Sequence, residues 1–404
     1  MTVATPGRLD RWGGFIAVAV ALSLCFSVSS LPTPLYPLYQ TAWNIPPSAL
    51  SYIFTAYMVG VLPSLICFGR LSDALGRFRV VLTSLSLLMV GLFLSAIAPG
   101  VGVLIVARFI IGFGNGLLTT ASAVALAEAH PQRDRHVASV ITSMGISVAF
   151  GLGPVVGGAL AQTGVAPLVL PYLVIFVAAG CNIALAVRYR AHLLGPFGTR
   201  APLSIRPQLA LPNRPKRPTF FLACGAGFAT FAVGSLFASM VPSLLREVLP
   251  WKGPLVVGAA FFLMALACTV IQLTQRNIAP FKGMVLGMLG FAAAVTLLSV
   301  GVATHDVAVL AVGMIAGGVG QGFSFMSSAV IAGISVDENR RTANMSTYFL
   351  CAYIGATAPI VAVGLLADRV GLQMAIYVYA VLIGCLLLLL GALAGRRHAR
   401  RNPA

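Results

Sequence analysis

The sequence predicts an all-α membrane protein whose twelve transmembrane helices form two pseudo-symmetric six-helix bundles. Three observations carry that prediction. Of 404 residues, 59% are hydrophobic and only 9% charged, against roughly 25% charged in soluble domains, so the main solvent is lipid. The apolar residues gather into twelve runs, each near the roughly 20 residues that cross a hydrocarbon core. The two halves of the chain repeat one another.

In order, the runs cover about 13–36, 48–69, 79–98, 102–127, 137–161 and 167–188, then 219–241, 254–273, 281–303, 307–334, 342–366 and 372–394. Arg8 and Arg11 ahead of the first run resemble the start of a signal peptide. The run is long, lacks a small-x-small cleavage site before a polar region, and is followed at once by further apolar segments, so it reads as the first span. Seven cysteines (Cys25, Cys67, Cys181, Cys224, Cys268, Cys351 and Cys385) lie singly within apolar runs. They suggest neither a disulfide framework nor a zinc site, and read as small buried hydrophobes.

The loops set an orientation. The formal net charge is +17. Arg8, Arg11, Arg70, Arg77, Arg79, Arg133, Arg135, Arg276, Lys282, Arg340, Arg341, Arg396, Arg397, Arg400 and Arg401 fall in one alternating set of loops and the two tails. The opposite set holds Arg246, Lys252 and Arg369. The positive-inside rule then places both termini in the cytoplasm of a cell with a cytoplasmic (inner) membrane, which an even helix count satisfies. Residues 189–218 carry no acid and the prolines 196, 202, 207, 212, 215 and 218, and read as an extended linker. The expected division is therefore 1–188 for the first bundle, 189–218 for a cytoplasmic linker, and 219–404 for the second bundle with a short basic tail. The basic charge is assigned to membrane orientation and not to nucleic acid.

The repeat is explicit. Phe113-Gly-Asn-Gly-Leu-Leu-Thr-Thr-Ala-Ser-Ala-Val124 aligns without gaps with Val319-Gly-Gln-Gly-Phe-Ser-Phe-Met-Ser-Ser-Ala-Val330, and Pro154 falls opposite Pro359 after a one-residue slip. Duplicated bundles related by an axis along the membrane normal put a binding site at their interface near the midplane, exposed to each side in turn by rocking.

Three motifs carry a mechanism. Gly69-Arg-Leu-Ser-Asp73-Ala-Leu-Gly76-Arg77-Phe-Arg79 lies between the second and third runs. Its glycines permit a tight turn, and Asp73 and Arg77 can pair at helical spacing. Arg108-Phe-Ile-Ile-Gly112-Phe-Gly114 lies in the fourth run. An arginine two turns into a span faces the bundle interior or snorkels to the surface. Gly153-Pro154-Val-Val-Gly157-Gly158 lies in the fifth. There Pro154 favours a bend, and Gly153 with Gly157 forms a small-x-x-x-small face. These motifs resemble the loop, fourth-helix and fifth-helix signatures of the major facilitator superfamily, in the drug:proton antiporter-like, twelve-helix type. Ile111 replaces the usual glutamine, and the spacing from Gly145 departs from the fifth-helix pattern. The resemblance implies a cytoplasmic latch at Asp73, facing the start of the eleventh helix near Thr342 and Asn344. It implies proton coupling through Arg108, and efflux. Glu128, at the end of the fourth run, either accepts a bond from Arg77 or Arg79 or is simply solvated; the sequence leaves both open.

The nine acids (Asp10, Asp73, Glu128, Asp134, Glu247, Asp306, Asp337, Glu338 and Asp368) all map to loops or helix ends. A central cavity without a carboxylate disfavours a cationic substrate, so the expected cargo is a small neutral, zwitterionic or anionic organic compound, with Arg108 as an anion partner. Asp73, Glu128 or the substrate itself would carry protons. Asn115 and Gln321 occupy equivalent repeat positions and are the leading substrate contacts, or else they bond helices together. Tyr36, Tyr57, Phe323, Tyr348 and Tyr353 supply candidate aromatic walls. An enzyme is not expected, since catalytic groups do not cluster. Neither is a receptor, for want of a soluble output domain, nor direct ATP drive, for want of a phosphate-binding loop. The expected partners are the bilayer, a small-molecule substrate and protons, for a monomer without a cofactor.

Overall fold

In a computed structural model, the protein is described over residues 8–68, 71, 75–129, 135–190, 207, 209–248, 251, 253–336 and 340–401. Twelve helices there are long and apolar enough to cross a membrane. They are α1 (Arg8–Ser30), α2 (Pro47–Cys67), α3 (Arg77–Ala96), α4 (Val101–Ala129), α5 (Arg135–Gln162) and α6 (Leu170–Arg188). The second set is α7 (Arg217–Ser239), α8 (Pro254–Thr274), α9 (Pro280–Thr304), α10 (Val307–Ile334), α11 (Arg341–Val370) and α12 (Leu372–Arg401). Twelve crossings return the last helix to the end where the first began; that end is termed proximal and the opposite one distal.

Helix ends follow local chemistry. Pro32 and Pro34 lack amide protons, so α1 stops at Ser30 and the chain continues through a 3₁₀ turn (Thr33–Leu35) into a short helix (Tyr36–Trp43). The first crossing thus runs well beyond the expected residue 36. α6 starts at Leu170 and not 167, because Gly164 and Ala166 have positive φ values of 77° and 42° and hold the chain in a turn. Gly371, at φ 85°, permits the reversal between α11 and α12 with no further linker residue.

The first six helices pack chiefly as α2–α4, α3–α4, α1–α5 and α3–α6, and the last six as α9–α10, α7–α11, α9–α12 and α8–α10. Two seams join the bundles, α5 against α8 and α2 against α11. Large apolar side chains such as Val177, Val381, Leu382, Leu388 and Leu389 are left exposed on the outside of the spans, as a lipid-facing surface requires. Tyr36, Tyr39, Tyr172 and Tyr348 are buried in the interior.

Candidate functional site

Arg108 is the eighth residue of α4, about 10 Å into the helix at 1.5 Å per residue. Its side chain is fully buried, so the surface-seeking alternative is not the one adopted. Nη1 donates to the Val28 carbonyl at 3.3 Å and Nη2 to the Ser29 carbonyl at 2.9 Å. The helical partner of the Val28 carbonyl would be the amide of residue 32, which is proline and has no proton. The guanidinium therefore caps the C-terminal end of α1, where carbonyl dipoles leave partial negative charge. Its carbon stands 4.8 Å from the centre of the Tyr57 ring, a cation–π distance. Tyr36 is buried beside the same guanidinium. The α4 backbone comes this close because Gly112 has no side chain; a Cβ there would overlap the Tyr57 carbonyl.

Two turns on, and on the same face, Asn115 Nδ2 donates to the Tyr57 hydroxyl at 2.5 Å and to the Cys25 carbonyl at 3.4 Å. Thr119 Oγ1 lies 2.8 Å from the Asn115 carbonyl and 3.3 Å from its Oδ1. Tyr57 of α2 thus sits between an arginine and an amide that both also hold α1.

The second bundle presents a different surface. Phe231 of α7 packs against Tyr353 of α11 and Phe325 of α10, with ring centres 5.3 and 6.1 Å away. Gln321 lies against Gly234 of α7, and its Oε1 is buried without a hydrogen-bond partner. A buried unsatisfied acceptor is costly unless a donor visits it. Tyr353 and Tyr57 are near enough across the α2–α11 seam to interact electrostatically. Phe323 is half-buried on α10. Tyr348 is fully buried, shares a 2.8 Å hydrogen bond with Ser328, and packs its ring on Phe349. Sequence reasoning missed Phe231 and Phe325. The repeat offset points to the first, since it maps Cys25, whose carbonyl Asn115 contacts, onto Phe231 beside Gln321.

Helix α5, with Pro154 inside it, is likewise specific in its contacts. Pro154 leaves the Phe150 carbonyl without its helical donor, and Ser30 Oγ of α1 supplies one at 2.7 Å. A Cβ on Gly153 would strike the Ser27 carbonyl of α1, one on Gly157 the Leu31 carbonyl just past its end, and one on Gly158 the Pro254 carbonyl of α8. The block therefore packs one face on its own bundle and the other on the partner bundle.

Of the loop motif, Gly69 and Asp73 lie outside the described residues. Gly76, at φ 90°, precedes α3, whose first turn holds Arg77 and Arg79. Glu128 is the penultimate residue of α4, and its side chain is outside the description. Among the described residues no carboxylate lies at mid-helix. Asp10, Glu128, Glu247 and Asp368 fall within three residues of a helix end, and Asp306 caps α10. Asp134, Asp337 and Glu338 are outside the described residues. No group of three His, Cys, Asp or Glu residues that could hold a metal ion occurs among the described residues.

Residues 18–279, more than half of the chain, match the family model of the Major Facilitator Superfamily. The chain is 23% identical over 239 residues to the uncharacterized transporter YebQ of Escherichia coli (strain K12), covering 59% of this chain and 50% of that protein. It is 31% identical over 164 residues to the efflux pump dotC of Dothistroma septosporum, covering 39% and 28% respectively. The matches span half or less of these relatives' length. Among solved structures, a variant of the peptide transporter POT in complex with sulfate superposes with a TM-score of 0.77 at 16% identity, covering 99% of this chain and 96% of that one. At such identity the likeness speaks for the fold.

Proposed function

The chain belongs to the Major Facilitator Superfamily, and from that premise we propose that it is a proton-coupled exporter of a small, neutral, flat organic compound, working by alternating access. It is a multi-pass membrane transporter of a small molecule. The finer assignments are proposals: residence in the cytoplasmic (inner) membrane, cytoplasmic termini, a monomeric state, and division at residues 188 and 218.

One observation carries the substrate reading. The second bundle offers an aromatic wall (Phe231, Phe325, Tyr353) and one unpaired buried acceptor, Gln321 Oε1, and no carboxylate lies at mid-helix among the described residues. Aromatic faces favour a planar apolar body, and the acceptor favours a donor group on it. A cation would be left without a counter-charge. Within the wider neutral, zwitterionic or anionic class, the engagement of Arg108 with α1 carbonyls favours the neutral member. Asn115, Tyr57 and Tyr36 form the opposite wall in this reading, and Phe323 and Tyr348 are further aromatic candidates of the second bundle.

Efflux is supported by the Gly153-Pro154-x-x-Gly157-Gly158 block and by the similarity to the efflux pump dotC. The proton carrier is Asp73, Glu128 or the substrate, and the latch of Asp73, Arg77 and Arg79 holds the proximal side shut in the opposite state. The test is transport of a panel of labelled aromatic compounds in proteoliposomes under an imposed pH gradient. Accumulation against the direction of proton flow that collapses with a protonophore supports the reading. Downhill flux indifferent to pH makes the protein a uniporter, and accumulation in the direction of proton flow makes it an importer.

A further inference from the structure

We propose that Gln162 and Asp368 are a matched pair of gating residues, each closing the distal end by capping a helix that belongs to the other bundle. The Ser48 amide at the start of α2 donates to Asp368 Oδ1 near the end of α11 at 3.0 Å. The Leu255 amide at the start of α8 donates to Gln162 Oε1, the last residue of α5, at 3.2 Å. Asp368 follows Gln162 by 206 positions, the offset that separates Val319 from Phe113. The donors, Ser48 and Leu255, are 207 positions apart, yet each is the second residue of its helix, so the repeat makes a corresponding bond across each seam with a one-residue slip on the donor side.

The recipient helices need such a cap. The first turn of any helix leaves amide protons unsatisfied, and a side chain at the N-cap normally accepts one of them. α2 and α8 each begin with proline, and their N-cap residues, Pro46 and Gly253, make no side-chain cap bond. The acceptor comes from across the interface, so it is present only while the distal ends of the bundles touch. Packing supports both bonds at equivalent places. Gly158 abuts the backbone of Pro254 and Leu255, and Gly364, 206 positions later, abuts Ser48 and Ser51. A third contact at the same end joins the short helix Tyr36–Trp43 to a second short helix, Val241–Val248, that extends the seventh crossing. There Arg246 donates to the Pro37 carbonyl at 2.8 Å and to Thr41 at 3.0 Å, and Ser243 donates to Gln40 at 2.7 Å.

The pair is chemically unequal. The Asp368 carboxylate also meets the positive end of the α2 dipole, which the neutral amide of Gln162 meets weakly at α8. Asp368 therefore contributes more to closure, and a carboxylate at position 162 strengthens the weaker seam.

The proposal rests on the alternating-access reading, and its test reads the gate without transport. Full-length protein in lipid nanodiscs is followed by hydrogen–deuterium exchange mass spectrometry. Asp368→Ala is expected to speed exchange about fivefold, the typical effect of losing a helix cap, in the first turn of α2. Because the bundles move as bodies, it is also expected to speed exchange at the start of α8, which it does not touch. Gln162→Glu is expected to slow exchange at both places. Acceleration confined to α2, or no slowing with Gln162→Glu, overturns the gate and leaves two local caps. If Asp368→Ala fails to fold, Asp368→Asn with Gln162→Glu applies the same criteria. Absence of proton-driven transport by the unsubstituted protein, with these exchange patterns intact, would count against the exporter reading alone.

Discussion

Replacing Arg108 by methionine separates a structural arginine from a coupling one. The substitution keeps an unbranched apolar side chain in place and removes two charge-assisted hydrogen bonds to the Val28 and Ser29 carbonyls, with a ring contact to Tyr57. Hydrogen bonds to a charged group contribute about 1.5–3 kcal/mol each, and the ring contact about 1 kcal/mol. Against this stands the relief of no longer burying a guanidinium charge, which is several kcal/mol per ion before compensation. Two carbonyls at a helix end are then left with no donor, at about 1–3 kcal/mol apiece. The expected net loss is ~3 kcal/mol, which for a bundle of roughly 200 residues lowers Tm by about 6–12 °C. Arg108→Lys keeps the charge but not the two-pronged geometry, and about half the loss is expected. The assay is thermal unfolding of purified protein in detergent, beside transport in proteoliposomes. An Arg108→Met protein as stable as the parent, yet dead in transport, would refute the capping account and leave a purely coupling role.

Three further outcomes follow from the geometry. Gln321→Leu removes an acceptor that has no partner in the fold, so Tm should hold within ~2 °C while substrate affinity falls about tenfold, a cost of 1.4 kcal/mol; equal losses in both would make it a structural amide. Ser30→Ala leaves the Phe150 carbonyl without a donor and should destabilise by about 1–3 kcal/mol, read by the same thermal assay, and a neutral result would show that Pro154 needs no partner. Gly364→Leu forces a side chain into Ser48 and Ser51, so distal exchange should rise and transport should fall without loss of folded protein; unchanged exchange would mean the seam is loosely packed.

The spans were legible because lipid imposes a length and a composition on each helix, and α10 (Val307–Ile334) begins and ends where the sequence alone puts it. The first crossing was read short because Pro32 and Pro34 end one helix while the chain simply continues in another. The site was legible only as residue types. The depth of Arg108 in an apolar run is compatible with burial and with snorkelling, and its partners, about 80 positions away, are main-chain carbonyls, which carry no signature in a sequence. Asp368 lies at a helix end, as its place in the sequence indicates. Its bond to Ser48 exists only because two seams bring the ends of α11 and α2 together. Gln162 went unnoticed for the same reason, although the repeat offset that matched Asn115 with Gln321 also matches Gln162 with Asp368.

Export by proton exchange is read directly from lumenal pH in proteoliposomes that begin with no pH gradient and receive a transported compound from outside. Obligatory exchange predicts that the lumen turns alkaline as the compound enters, at a rate that follows uptake and vanishes with the empty lipid. A lumen that acidifies in step with uptake, or one that stays constant while the compound crosses, would contradict it.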